Sequence, residues 1–111
     1  MTIDHWPNDN DLVSPREDER FVLRLYITGT TPRSAAAIVN VRRICDEHLE
    51  GRYDLEVIDV LRHPEKAVEE QIVAAPTLVK HLPHPVRRFI GDMSGTERLL
   101  AGLGLKQRLI S

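Results

Sequence analysis

The chain has 111 residues and a mass of 12.7 kDa, with 41% hydrophobic and 29% charged residues and a net charge of −2. That length suits one small domain, and no apolar run approaches the roughly 20 residues that a membrane-spanning helix needs. A single cysteine, Cys45, excludes an intramolecular disulfide and a multi-thiolate zinc site within one chain.

Residues 1–20 carry six acidic side chains against Arg16 and Arg20, a net charge of −4, which leaves the remaining chain at +2. This reads as an acidic, flexible arm before a mildly basic domain. The strongly basic stripe that nucleic-acid binding requires is missing. The opening residues Met1-Thr2-Ile3-Asp4-His5-Trp6 lack the basic flank and apolar stretch of a secretory signal, so a cytoplasmic location is expected.

Phe21-Val22-Leu23-Arg24-Leu25-Tyr26-Ile27-Thr28 sets Phe21, Leu23, Leu25 and Ile27 on one face at period two, with Val22 and Tyr26 on the other. A central strand covered on both sides is predicted. Gly29 breaks it, Thr31 is placed to N-cap a helix, and Pro32 takes the first helical position, where a missing N–H costs nothing. That helix is expected to run to about Leu49, with Ala35, Ile38, Val41, Cys45 and Leu49 as its apolar positions and Gly51 as its stop. Leu55 to Leu61 predicts a second strand, parallel to the first through a right-handed crossover. Pro64 opens a second helix expected to reach about Val73, with Ala67, Val68, Gln71 and Ile72 at helical spacing. After a boundary at Pro76, Thr77 to Lys80 predicts a third strand. The turn Leu82-Pro83-His84-Pro85 leads to a fourth, Val86 to Gly91, in an antiparallel hairpin. Ser94-Gly95-Thr96-Glu97 fits a capping box that opens a last helix carrying Leu99, Leu100 and Leu103.

The order β-α-β-α-β-β-α describes a single α/β domain and resembles the thioredoxin fold. In that resemblance the first strand runs into a C-x-P-C type turn, and the X-Pro bond of Ala75-Pro76-Thr77, cis in thioredoxins, faces it. Here Thr30 and Arg33 occupy the two thiol positions. Disulfide exchange requires a sulfur nucleophile and a sulfur leaving group, so redox activity is not expected. Cys45 shares a helical face with Ile38 and Val41 and reads as a small buried hydrophobe. Thr30 and Thr31 have no identifiable base to activate them, and capping explains them better. His81-x-x-His84 lacks the third and fourth ligands of a stable zinc site, and nothing in the sequence brings Asp59 and Asp92 together as an acid–base pair. The expectation is a protein without enzymatic activity, cofactor or metal.

Leu23 to Pro32, Val57 to Leu61, Ala75 to Lys80 and, most specifically, Pro85-Val86-Arg87-Arg88-Phe89-Ile90-Gly91-Asp92-Met93-Ser94 closely resemble the KaiB family of circadian clock proteins, over about Phe21 to Leu105. The domain is accordingly placed at 21–105, with a C-terminal tail at 106–111. The resemblance implies a non-enzymatic regulator that docks on the ring-shaped ATPase KaiC and modulates its phosphorylation cycle. It also implies two folds: a resting state, usually tetrameric, with a rearranged C-terminal half, and a thioredoxin-like monomer that binds KaiC. A KaiA-like protein is a further implied partner. The alternative is a KaiB-like sensory or stress-response module outside a clock, acting for example with a histidine kinase.

Lys80, Arg87 and Arg88 are the candidate partner contacts. Arg87 and Arg88, being adjacent in a strand, must point to opposite faces. Pro76, Pro83, Pro85, Gly102 and Gly104 are the candidates for setting the balance between folds, because X-Pro bonds isomerise slowly. Relatives tend to carry Gly-Leu-Asp and then Leu-Leu-Tyr after the last helix, where this chain has Gly104 and Gln107 in place of the Asp and the aromatic residue, and Gln71 stands where relatives often have lysine. Loss of an aromatic anchor weakens a tetramer interface, which predicts a preference for the thioredoxin-like monomer.

Overall fold

The computed structural model describes residues 19–105, so most of the acidic arm and all of the tail at 106–111 lie outside the described residues. Everything else is arranged around β1 (Phe21–Ile27), which is fully apolar on one face and pairs on both edges. It lies parallel to β2 (Tyr53–Asp59) and antiparallel to β3 (Thr77–Leu82), and β3 in turn pairs antiparallel with β4 (Arg87–Ile90). The sheet order is β2-β1-β3-β4, with α1 (Pro32–His48), α2 (Pro64–Glu69) and α3 (Thr96–Leu103) completing the expected β-α-β-α-β-β-α order.

Phe21, Leu23, Leu25 and Ile27 point from β1 into the main core, where Ala37, Val41, Ile44, Cys45 and Leu49 meet them from α1 and Leu99, Leu100 and Leu103 from α3. The start of α1 follows from its sequence: Pro32 sits in the first turn, and the Thr31 hydroxyl accepts a hydrogen bond from the Ser34 N–H at 3.2 Å. Val41, Cys45 and Leu49 are buried as expected and Ile38 packs against the core, but the face also takes in smaller residues. Ala35 is exposed, while Ser34, Ala37 and Ile44 are buried. Small residues at 34 and 37 allow α1 to approach the sheet closely, which a search for large apolar residues overlooks.

The opposite face of the sheet is covered only in part. Tyr26, Ile58 and Val79 form a small second cluster with Val60 and Ile72, but α2 buries none of its own residues. The helix also ends earlier than Val73. Gln71 adopts a left-handed conformation (φ 58°), the Gln71 N–H bonds to Val68 O and the Ile72 N–H bonds back to Ala67 O, which closes the helix as a Schellman motif. Val68, at helical spacing in the sequence, is 76% exposed.

α3 begins without the expected capping box. Gly95 takes the N-cap position with no side-chain hydrogen bond, and Ser94 is engaged elsewhere, its N–H donating to Asp92 Oδ1 at 3.1 Å. The other end is well closed: Gly104 (φ 81°) is left-handed, with the Gly104 N–H on Ala101 O and the Leu105 N–H on Leu100 O. The peptide bonds before Pro76, Pro83 and Pro85 are cis.

Gly102 faces the ring of Phe89, and a β-carbon there would overlap Phe89 Cε2 and Cζ. Helix propensity alone favours Gly102→Ala by about 1 kcal/mol, whereas forcing a methyl group into a packed contact costs about 1–3 kcal/mol. We predict that Gly102→Ala lowers the urea midpoint. A raised midpoint would mean that α3 does not rest on β4 in solution.

Candidate functional site

Four connections meet at the end of the sheet where β1 finishes, and Asp59 ties two of them. Its Oδ1 accepts from the Gly29 N–H at 3.1 Å and from the Leu61 N–H at 2.9 Å, joining the β1–α1 and β2–α2 turns. The Thr28 N–H donates to Ser34 Oγ at 3.1 Å. The Gly91 N–H donates to Pro76 O at 3.0 Å, and Asn40 Nδ2 donates to Asp92 O at 2.8 Å, so the segment after β4 is tied both to the start of β3 and to α1. Asp59 and Asp92 are thus occupied with separate loops. Two hydrogen bonds from Ser94 hold the Asp92 carboxyl below the usual carboxylate range, with the Arg33 charge adding to the effect.

Thr30 and Arg33 occupy this end, and the Arg33 guanidinium lies close to Gly91. No thiol is near: Cys45 is 1% exposed in the main core, and burial pushes its thiol up to about 12. At neutral pH it is a protonated core side chain.

The candidate contact residues are brought side by side on β3 and β4 but divided between two faces. Arg87 pairs with Lys80 and Arg88 with Val79. Arg87 shares Lys80's face, that of α1 and α3. Arg88 crosses to the α2 face, where its guanidinium donates to Glu70 O and, at 3.2 Å, to Gln71 O. Both arginines are exposed, but Lys80 is only 3% exposed. Its ammonium is pushed below the usual lysine value, first by burial and then by the Arg87 charge, with Glu19 opposing. His81 and His84 separate in the same way. His81 Nε2 stands 2.6 Å from Glu70 Oε1, not aligned as a hydrogen bond and with no other hydrogen-bond partner for either atom, while His84 is exposed. No group of three or more metal-ligating side chains occurs among the described residues.

An open cavity of about 1020 Å³ runs beside β4, lined by Arg33, Arg88 and Ile90 to Gly95 and by the first turn of α3 with Arg98. Arg98 was not legible as a site residue, and Arg33 was read only as the residue at a thiol position of the first turn, not as part of a groove beside β4. What brings them to one groove is the topology, which returns the chain after β4 to the turn after β1. Among the described residues, no helix is long and apolar enough to cross a membrane.

A frame of this order, with threonine and arginine in its first turn and its cysteine buried in the core, defines a thioredoxin-like domain whose first turn lacks the thiols of thioredoxin redox chemistry. The KaiB domain matches residues 24–105, and the chain belongs to the KaiB family. It is 55% identical to the circadian clock protein KaiB3 of Synechocystis sp., covering 81% of this chain and 93% of that protein. It is 50% identical to the circadian clock oscillator protein KaiB of Prochlorococcus marinus, covering 84% and 78%. The solved N-terminal domain of Synechococcus elongatus SasA is similar at a TM-score of 0.63 and 22% identity, over 83% of this chain and 90% of that one. The thioredoxin Deadhead of Drosophila melanogaster is similar at 0.62 and 15% identity, over 78% and 84%. At these identities the structural likeness is one of fold. The family is one of clock proteins, not of enzymes.

Lys80 gives a pH test. Its folded-state value is depressed, so between that value and the ordinary lysine value of about 10.4 the unfolded chain binds more protons, and stability rises with pH. Below both values the cost of the buried charge is fully present. Lys80→Met is expected to raise the urea midpoint at pH 7 and to flatten the alkaline rise. An unchanged midpoint at pH 7 together with an unchanged alkaline rise would show that Lys80 is solvated.

Proposed function

We propose that this chain is a non-enzymatic clock regulator that binds the ATPase ring of a KaiC-type partner as a thioredoxin-like monomer and modulates the partner's phosphorylation cycle. The observation that carries the reading is the identity of 50–55% to proteins named as circadian clock KaiB, over most of both chains. The exposed arginines of β4 support a contact surface there. Arg87 and Arg88 provide its charge on two faces, and Lys80 acts from beneath Arg87 rather than by direct contact.

The same reading includes an alternative arrangement of the C-terminal half, with Pro76, Pro83, Pro85, Gly102 and Gly104 setting the balance. What favours the thioredoxin-like state is the backbone at Gly104, whose φ of 81° suits glycine, together with the close seat of Gly102 on Phe89. Gly104→Asp, which restores the residue that relatives tend to carry, is expected to cost this state about 1 kcal/mol. Free protein run on size exclusion with light scattering should then show a larger share of oligomer. An unchanged monomer peak and an unchanged urea midpoint would remove Gly104 from the balance.

The partner test is direct. Mixed with a purified KaiC-type ATPase and ATP, the chain should co-elute with the ring. The double variant Arg87→Glu/Arg88→Glu should weaken that complex by about tenfold or more, more so at low salt, with its circular dichroism unchanged. Full binding by the double variant would move the contact off β4, and no complex with the unmodified chain would remove the KaiC-type partner.

A further inference from the structure

We propose that the free edge of β4 accepts an extended, acidic segment of a partner protein as a fifth strand of the sheet. Among the described residues, β4 ends the order β2-β1-β3-β4 and pairs only with β3. The Gly91 N–H turns inward to Pro76 O, so by the period of two along a strand the N–H and C=O groups of Arg88 and Ile90 face outward. These groups are a template for strand addition, which gives affinity through the main chain and selectivity through side chains. Arg87, Arg88 and Ile90 of β4 are exposed. The cavity of about 1020 Å³ lies alongside the edge, leaving room for an added chain at the usual strand spacing of about 4.8 Å. Two exposed apolar side chains bracket the edge, Val86 at 49% and Ile90 at 67% exposure, and an added strand would cover them.

Charge selects the occupant. Among the described residues, Arg87, Arg88 and Arg98 form no ion pair, and the Arg88 guanidinium bonds only to uncharged carbonyls. Glu97 and Asp92 also line the cavity, but Asp92 is already satisfied by Ser94. Pairing β4 with a second copy of itself would bring two Arg87-Arg88 pairs together, and like charges opposed across strands are destabilising. An acidic strand alternating with apolar residues meets both requirements: its carboxylates line the face of Arg87, and its apolar side chains line the opposite face, that of Ile90. This deepens the reading of β4 as a partner surface and rests on it only there. The partner's identity does not enter.

The probe is a blocked decapeptide of alternating glutamate and valine, with the lysine–valine peptide as its counterpart, titrated into the ¹⁵N-labelled full chain. The glutamate peptide is expected to slow amide exchange at Arg88 and Ile90 by about tenfold, and its binding should weaken as salt rises. Ile90→Pro, tolerated because its N–H faces away from β3, should abolish that binding, and Arg87→Glu should weaken it about tenfold. Any one of the following overturns the proposal: no binding at millimolar peptide, equal binding of the lysine peptide, or full binding by Ile90→Pro. Arg88 and Ile90 amides already protected without peptide would overturn it as well. Protection lost on removing residues 1–18 would assign the edge to the chain's own acidic arm, and protection rising with concentration would assign it to a second copy. Because the probe is a peptide, failure of the ATPase complex and failure of strand addition are read separately.

Discussion

The Phe89 ring lying against Gly102 is the contact on which the C-terminal half depends. β4 is short and sits at an edge, so its pairing with β3 alone holds it weakly. Phe89 turns from β4 onto the core face and packs against the main cluster, and the missing side chain at position 102 lets α3 come down on it. Leu99, Leu100 and Leu103 then complete the cover over β1 that α1 begins. Remove that seat and α3 loses its floor, the core loses three leucines, and β4 loses the helix that fixes its position. The same seat explains why the groove beside β4 exists. α3 is anchored through its second half, at Gly102, while its uncapped first turn stands beside the cavity.

The end of the sheet is filled by hydrogen-bonded structure where a thioredoxin has its thiols. In a thioredoxin frame this end offers a thiolate at the head of the first helix. Here the turn offers hydrogen-bonded structure instead: Asp59 and Ser34 accept the backbone N–H groups of Gly29 and Thr28, Thr31 caps the helix, and Arg33 lies near Gly91. The chain's one thiol is buried in the core. What this surface presents is the shape of the loops, the exposed apolar side chains and the arginines of β4.

Much of this fold could be read from the residues because local and tertiary preferences agree. Strict alternation in β1 and the Thr31-Pro32 start of α1 are dictated by neighbours in sequence, and both formed as expected. Where the reading slipped, tertiary packing decided. α2 stops at Glu69 although the apolar spacing continues to Ile72, because Gln71 turns left-handed and sends Ile72 onto Tyr26 and Val79. The capping box at Ser94 yielded to Asp92, which claims the Ser94 N–H for the loop. Lys80 reads as a surface charge in one dimension, but its strand is the inner neighbour of β4, and register places it beside Leu23 and under Arg87. Arg33 and Arg98 reach the groove only through the topology, which no local pattern encodes.

The central claim is that this chain rests with its C-terminal half in the β3-β4-α3 arrangement that exposes the edge of β4. The most direct measurement is a nuclear Overhauser cross-peak between the Phe89 ring protons and the Gly102 α-protons in the full chain at neutral pH. The account predicts a strong cross-peak, together with a protected Gly91 amide from its bond to Pro76 O. A missing cross-peak with an exchangeable Gly91 amide, in an otherwise folded protein, would contradict it.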